Sequence, residues 1–315
     1  MVFYRVTVLE AQIGFSCPQS LRLPEGAPCK RSFRLVLVCQ DQQAIIARVS
    51  RWIADQGGNI VSSDQHSTDP FGGTFFLRTV FVVEKDLSQM QVQERFRGFI
   101  AATGWEGAYW RLVAEDEPKR MAILASKQAH CLLDLLWRVR SQELPAVVPC
   151  VICNHPDHEQ IVESLGFSYY YVPATPQNKP EAEAKIQEIL EKNRIDLVVL
   201  ARYMQILSPE LSERYAGHMI NIHHSFLPAF KGANPYSRAK ERGVKLVGAT
   251  AHYVTADLDE GPIIEQDTIR VTHRDSIEDL RRKGADIERL VLGRAVRWHL
   301  EDRVLLDGTR TVVFT

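Results

Sequence analysis

The sequence predicts an α/β protein in which a small ferredoxin-like unit, of the order βαββαβ, precedes a Rossmann-like domain with a mostly parallel sheet. Three observations lead to this prediction. Residues 33–114 hold four strand-like and two helix-like segments in that order. A polar stretch with one proline, residues 115–119, separates them from a region where apolar strands alternate with helices. Several of those strands are nearly continuous apolar runs, as expected for strands buried on both faces.

The chain has 315 residues and a formal net charge of −1, with both signs mixed along the sequence. This length suits two domains. Without a basic surplus, neither a nucleic-acid partner nor an acidic membrane surface is expected. No apolar run reaches about 18 residues, and the first residues lack the features of a secretion signal. Six scattered cysteines are too few for a disulfide framework, so we expect a cytoplasmic protein.

The first domain is predicted over residues 33–115, behind an extension at residues 1–32 that is rich in proline and without sustained periodicity. Its predicted strands are residues 33–39, 59–68, 74–83 and 105–114, and its predicted helices are residues 42–56 and 88–102. Apolar residues recur at helical spacing through Ile45, Val49 and Trp52, and Gly57 ends that helix. The second and third strands are joined by a turn rich in Gly, Asp and Pro, which is typical of a hairpin.

The second domain is predicted over residues 120–315. Its strands are expected at residues 121–125, 146–153, 168–172, 197–200, 218–223, 246–254 and 263–271. Its helices are expected at residues 129–140, 158–165, 180–193 and 276–301. The last helix should cover the sheet with a broad apolar face, made of Ile277, Leu280, Ile287, Leu290, Val291 and Trp298.

Polar residues in two segments suggest chemistry. Asn221 and His223 share one face of a predicted strand, because side chains alternate along a strand. They lie at its carboxyl end, where open α/β sheets bind ligands. An amide can donate to a developing oxyanion and an imidazole can move a proton. Asp259 lies in an acidic loop followed by Gly261 and Pro262, which can fix a tight turn. On composition alone, hydrogen-bonded residues at a strand end and an Asx-type turn explain these segments equally well.

Three segments together resemble the folate-dependent formyltransferase family. They are Asn-Ile-His-His-Ser-Phe-Leu-Pro at residues 221–228, Asp-Glu-Gly at residues 259–261, and Ala-Arg-Tyr-Met-Gln-Ile-Leu-Ser-Pro at residues 201–209. The resemblance covers about residues 121–315, and the unit in front of it resembles an ACT domain. Residues 126–132 and 225–236 are similar to the branch of the family that carries an ACT domain and hydrolyses 10-formyltetrahydrofolate to tetrahydrofolate and formate.

This resemblance implies roles for individual residues. Asn221 and a protonated His223 would stabilise the oxyanion formed when water attacks the formyl carbon. Asp259 would orient and deprotonate the water, directly or through a relay, and keep His223 charged. The residues implied in substrate binding are Arg202, Met204, Gln205, Ile206, Leu207, Val254 and Gly261. No cofactor and no metal are implied, because the folate is the substrate. The formate would supply purine biosynthesis, and the reaction would balance one-carbon folate pools.

Two alternative functions use the same fold. A transferase would pass the formyl group to glycinamide ribonucleotide or to an aminoacyl acceptor. Members that use the former build a phosphate cradle from glycines after the first strand of the domain, but residues 125–130 contain no glycine. An aminoacyl acceptor is not expected either, because little sequence follows the last predicted helix and there is no basic surplus. A folate sensor without activity would not need all of Asn221, His223 and Asp259.

The resemblance to ACT domains implies a homo-oligomer assembled through the first domain. Many ACT domains bind amino acids at an Asp-x-Pro-Gly turn, but this chain has Asp-Gln-Gln-Ala at residues 41–44. The glycine that allows close approach of the backbone is missing, so control by an amino acid is not expected there.

Three further features call for structural interpretations. Cys150 and Cys153 have the spacing of a zinc site, but strand alternation should place them on opposite faces, which favours packing. By the same alternation, His224 should point away from His223. His252 is expected to be a supporting residue in the core, and the Leu227-Pro228 peptide bond is predicted to be cis.

Overall fold

The computed structural model describes residues 30–84, 87–228 and 235–315. Most of the predicted extension, residues 1–29, lies outside these ranges, as do residues 229–234 of the segment compared above. Residues 30–32, assigned to the extension by the sequence, belong to the first strand.

The first domain has the predicted order βαββαβ. Its strands are β1 (Lys30–Gln40), β2 (Asn59–Ser67), β3 (Thr74–Glu84) and β4 (Tyr109–Ala114), and its helices are α1 (Ile45–Asp55) and α2 (Gln89–Thr103). The sheet has the order β2-β3-β1-β4 and its paired strands are antiparallel. Helix α2 begins behind a capping box formed by Ser88 and Gln91. Strand β4 begins at Tyr109 rather than residue 105, because Gly104 and Gly107 have positive φ and form a turn.

The core of the first domain is aromatic. Trp52 of α1 packs edge-on against Phe96 of α2 with ring centroids 4.8 Å apart, and both contact the same face of the sheet. Phe33 and Phe81, on neighbouring strands, stack at 5.8 Å. Ala44, in the turn where the glycine is missing, has a φ of 67°, a left-handed conformation that favours glycine.

The second domain contains a sheet of seven strands in the order β11-β10-β9-β8-β5-β6-β7. These are β5 (Lys119–Ala125), β6 (Ala146–Cys153), β7 (Tyr169–Tyr171), β8 (Leu197–Ala201), β9 (Met219–His223), β10 (Leu246–Tyr253) and β11 (Ile263–Arg270). The helices around it are α3 (His130–Arg140), α4 (Glu159–Ser164), α5 (Lys179–Lys192), α6 (Pro209–Arg214), α7 (Pro235–Glu241) and α8 (Ile277–Leu300). The five neighbouring strands β9, β8, β5, β6 and β7 are parallel to one another. Strand β10 is antiparallel to both of its neighbours, β9 and β11. The predicted mostly parallel sheet is confirmed.

Within the described ranges, the sequence prediction missed helices α6 and α7 and the hairpin of β12 (Val304–Asp307) and β13 (Arg310–Val313). Each of them has between four and seven residues, which is too short for a periodic pattern to stand out. The predicted apolar face of α8 is confirmed at Ile287 and Val291, which are buried in the core cluster on one side of the sheet. It is wrong at Ile277 and Leu290, which are 38% and 44% exposed.

The two domains meet at the C-terminal end of α8. The carbonyls at the end of a helix lack partners in a following turn, and three cations donate to them here: Arg34 to Leu300 O at 2.9 Å, Arg78 to Glu301 O at 3.0 Å, and Lys119 to His299 O at 2.7 Å. Arg34 and Arg78 belong to the first domain. Beside them the β12–β13 hairpin packs Leu305 against the face of the first sheet that the helices leave open. Among the described residues, no helix is both long and apolar enough to cross a membrane.

Candidate active site

A cavity of about 940 Å³ opens beside the end of β9. Its walls come from the segments after β5, β8, β9 and β10 and from helices α7 and α8. Such a position follows from the topology, because ligands bind outside the carboxyl ends of parallel strands. The residues that the sequence singled out and that line the cavity are Asn221, His223, Asp259, Arg202, Met204, Gln205, Ile206, Leu207 and Val254.

Asn221 is held by a cross-strand neighbour. His252 lies directly opposite it in the β9–β10 pair, and Asn221 Nδ2 is 3.2 Å from His252 Nε2. The other ring nitrogen of His252, Nδ1, donates to Tyr253 O at 2.8 Å, since a carbonyl only accepts. In the neutral ring Nε2 is then the acceptor, so it takes one hydrogen from the Asn221 amide. The second amide hydrogen stays available for a bound molecule. His252 is buried and supports Asn221, as the sequence predicts.

His223 and Asp259 form a pair on the cavity wall. His223 Nδ1 is 3.2 Å from Asp259 Oδ2, and His252 Nε2 is 3.6 Å from Asp259 Oδ1. Burial alone would raise the pKa of Asp259, but the two imidazoles outweigh burial and hold that pKa well below its ordinary value. The carboxylate is therefore charged at neutral pH. Asp259 has a φ of 58°, and such left-handed conformations in residues other than glycine concentrate at functional sites.

His224 contradicts the sequence prediction. It lines the same cavity, and its ring stacks on that of His223 at 5.2 Å. Strand β9 ends at His223, so the alternation of side chains no longer applies to the next residue. Burial, together with the charge of Arg202, lowers the pKa of His224 to about 4. His224 is therefore neutral at physiological pH.

The segment after β8 forms an apolar part of the cavity. Met204 and Ile206 are 58% and 63% exposed, which leaves their side chains open to a bound molecule. Ser126 fixes the backbone here, because its hydroxyl accepts from Met204 N at 2.9 Å. Leu258, from the loop after β10, is 60% exposed and also lines the cavity. The exposed apolar walls are suited to a flat heterocycle.

Gly261, which the sequence assigned to substrate binding, is not among the residues that line the cavity. A Cβ atom at this position would lie 1.8 Å from Tyr253 O. The glycine instead allows the chain entering β11 to approach the end of β10. The turn after β9 is also fixed: the Leu227-Pro228 bond is cis, which confirms the prediction, and Leu227 N donates to Thr250 Oγ1 at 3.0 Å.

The other side of the cavity is polar and centres on Glu288 of α8, which is 2% exposed. His130 Nε2 is 2.7 Å from Glu288 Oε2, Tyr236 donates to Glu288 Oε1 at 2.8 Å, and Arg202 Nε is 3.5 Å from Glu288 Oε2. Burial would raise the pKa of Glu288, but these partners lower it, so the carboxylate is charged. We call Glu288 and its three partners the Glu288 cluster.

Sequence reasoning missed the Glu288 cluster. The signal was available, because Glu288 follows Ile287 on the face of α8 that the apolar pattern buries. An acidic residue on a buried helical face requires a partner, and such residues mark candidate functional sites. A carboxylate at that position is therefore as strong an indication of a site as Asn221 and His223.

Two groups of residues have the composition of metal ligands. Cys150 and Cys153 belong to core clusters on opposite sides of the sheet, which confirms the strand-based prediction, and His158 Nε2 donates to Ser126 O at 2.9 Å. Within the described ranges, His130, Cys131 and Glu288 have ligand atoms within 4.8 Å of one another. Burial raises the pKa of the Cys131 thiol well above its ordinary value, which keeps it protonated. Within this trio, His130 and Glu288 are paired directly, with Nε2 2.7 Å from Oε2.

The fold and the cavity at the edge of the parallel sheet define a protein of the formyl transferase class, and the model of the formyl transferase family matches residues 119–296. The chain is 53% identical to a formyltetrahydrofolate deformylase of Mycobacterium tuberculosis over 281 residues, which cover 89% of this chain and 90% of the relative. It is 48% identical to one of Bacillus subtilis over 284 residues, or 89% and 93%.

A solved structure gives the same result. The crystal structure of a formyltetrahydrofolate deformylase from Pseudomonas syringae pv. tomato superposes with a TM-score of 0.86 at 46% identity, covering 90% of this chain and 95% of that one. The chain belongs to the formyltetrahydrofolate deformylase family.

Proposed function

We propose that the protein hydrolyses 10-formyltetrahydrofolate to tetrahydrofolate and formate. The observation that carries the proposal is the His223–Asp259 pair, joined at 3.2 Å beside Asn221 on the wall of a cavity with one apolar side. The curated relatives reported above bear the name of this activity. The apolar side, with Met204, Ile206 and Leu207, would receive the pterin ring, and no cofactor is required.

In the proposed reaction the oxygen of a water molecule forms a bond to the formyl carbon, and the carbonyl oxygen becomes an oxyanion. The free amide hydrogen of Asn221 and a protonated His223 stabilise this oxygen. The bond between the formyl carbon and the folate nitrogen then breaks, and that nitrogen takes up the proton that the water loses. His223 Nε2 is buried and has no hydrogen-bond partner in the described part of the chain, so a substrate atom would complete its bonding.

Asp259 has two tasks in this scheme. Its lowered pKa makes it a weak base, so it orients the water and keeps His223 charged through the Nδ1 contact. The proton of the water then passes to the folate nitrogen by relay, because a carboxylate with such a pKa does not hold it. The left-handed backbone of Asp259 places the carboxylate between two imidazoles.

Transfer to glycinamide ribonucleotide is the alternative, and the polar side of the cavity argues against it. The turn after β5 lacks glycine, and its side chains are engaged: Gln128 accepts from Arg202 at 2.8 Å and His130 contacts Glu288 at 2.7 Å. The turn therefore lacks the glycines that let backbone N–H groups approach a phosphate closely, and its side chains crowd that space. We place the hydrolysis in the balance of one-carbon folate pools, in a cytoplasmic setting, with its formate available to purine biosynthesis.

The test is formate release from 10-formyltetrahydrofolate by the full-length chain with no acceptor added. Removing one oxyanion donor costs on the order of a hundredfold to a thousandfold in kcat, so Asn221→Ala and Asp259→Asn should lose most of the activity. Asn154→Ala is the control, because Asn154 is a buried amide that does not line the cavity. A wild-type chain that releases no formate overturns the proposal. A variant that keeps more than about a tenth of the activity overturns the role of that residue.

We also propose that the first domain is an ACT domain that assembles the chain into a homo-oligomer. Strand β2 is an edge of the first sheet and is exposed on both faces, and its Val61 is 64% exposed. Val61→Lys should therefore weaken assembly, as measured by light scattering. Phe71→Lys is the control, because Phe71 is 94% exposed but lies at the hairpin tip rather than along the edge. Equal mass for both variants and the wild type would contradict assembly through β2.

A further inference from the structure

The Glu288 cluster has no task in the hydrolysis scheme, yet it is among the most buried polar groups of the cavity. Glu288 is 2% exposed and Arg202 is 7% exposed. Both oxygens of Glu288 have partners: Tyr236 is at Oε1, and His130 and Arg202 are at Oε2. Taking an ion pair out of water is costly, so a buried pair is weak evidence for stability and calls for another explanation.

Arg202 is held against its own backbone preference. Its φ is 64°, in the left-handed region that favours glycine. Its Nε donates to Gln128 at 2.8 Å and is 3.5 Å from Glu288, while its Nη1 is buried with no hydrogen-bond partner among the described residues. A strained backbone and an incompletely paired guanidinium persist only where the surroundings impose them, and such features concentrate at functional sites.

Arg202 lies on the side of the cavity from which a nucleophile would approach the formyl group. The apolar side of the cavity would take the folate, and Asn221, His223 and Asp259 lie at the reacting group. The polar side is then what remains for the molecule that attacks the formyl carbon. An amine would need space there, and a carboxylate to accept from its N–H groups. Arg202 lines the cavity on that side, and each oxygen of Glu288 already has at least one partner, so the carboxylate is not open to an amine.

We propose that Arg202, held by Gln128 and Glu288, is a specificity-determining residue that reserves the polar side of the cavity for water. This inference rests on the proposed function. Without the guanidinium, a primary amine can enter and donate to Glu288. Its nitrogen then bonds to the formyl carbon, the bond from that carbon to the folate nitrogen breaks, and the folate nitrogen takes the proton that the amine loses. The products are tetrahydrofolate and a formamide, with no change in oxidation state.

The experiment measures how the formyl group of 10-formyltetrahydrofolate divides between water and added glycinamide, as the ratio of formylglycinamide to formate. Arg202→Gly suits the left-handed backbone and empties the space. Because a group that fills or frees a pocket changes discrimination by about tenfold or more, this variant should raise the ratio at least about tenfold. Arg194→Gly is the matched control: it is also an arginine with positive φ, at 50°, but it is exposed and lies outside the cavity. Its ratio should equal that of the wild type.

A second variant keeps the inference testable if Arg202→Gly does not fold. Arg202→Gly leaves Glu288 without its cation and lowers stability, whereas Gln128→Ala shortens the side chain that orients Arg202 and leaves every charge paired. It should raise the ratio in the same direction. An unchanged ratio in both variants, or in Gln128→Ala if Arg202→Gly does not fold, overturns the inference. The proposed function is judged separately, because its failure would show as no formate from the wild type.

Discussion

Replacing His224 by glutamine tests whether burial in the cavity lowers the pKa of this histidine. Burial and the neighbouring Arg202 lower the pKa of His224 to about 4, from an ordinary value of 6.5. Between these two pH values the unfolded chain binds a proton that the folded chain refuses. Stability from this group is therefore complete above pH 6.5 and is lost as the pH falls toward 4. A difference of about 2.5 units at 1.36 kcal/mol each gives about 3 kcal/mol of unfolding free energy.

Glutamine cannot take up this proton, so the variant should escape that loss. We expect the free energy of unfolding, from urea titrations at pH 7 and pH 4, to fall by about 3 kcal/mol less in His224→Gln than in the wild type. Carboxylates remote from residue 224 titrate equally in both proteins and cancel in the comparison. His273→Gln, at an exposed position outside the cavity, should follow the wild-type curve. If His224→Gln loses as much stability as the wild type, the imidazole is not held neutral by burial.

Three further predictions concern the backbone and the domain junction. Ala44→Gly should raise the free energy of unfolding by about 1 kcal/mol in a urea titration, because a φ of 67° strains alanine. Gly284→Ala should lower it by about 1–3 kcal/mol and, in a crystal structure, shift Tyr236 away from Glu288, since the new Cβ would lie 1.9 Å from the Tyr236 hydroxyl. Asp302→Asn should lower it by about 3–5 kcal/mol in the same titration, because its buried cationic partners lose their counter-charge.

Much of the fold and part of the site could be predicted from periodicity. Alternation along β9 placed Asn221 and His223 on one face, and alternation along β6 separated Cys150 from Cys153. The direction of β10 could not be read from its apolar run, because parallel and antiparallel strands can share such a pattern. The connection from β10 to β11 did indicate an antiparallel pair, because it contains no helix and is too short for the crossover that parallel neighbours need.

The Glu288 cluster was harder to predict for a different reason. Its members come from α3, α7, α8 and the loop after β8, and nothing in the local sequence around His130 or Tyr236 shows that they will meet. His224 was misplaced because the strand rule was applied one residue beyond the strand. Contacts between distant segments depend on how helices pack on the sheet, and local patterns do not encode that packing.

Helix α8 has a consequence for how freely the two domains can be recombined. It carries Glu288 on the cavity wall, and the carbonyls at its far end accept from Arg34 and Arg78 of the neighbouring domain and from Lys119 at the start of β5. A transplanted first domain would therefore have to bring cations to the positions of Arg34 and Arg78, together with an apolar surface for Leu305. A substitution at this junction acts on α8, and α8 also forms the polar side of the cavity. We therefore expect the two domains to change together in evolution rather than to be exchanged independently.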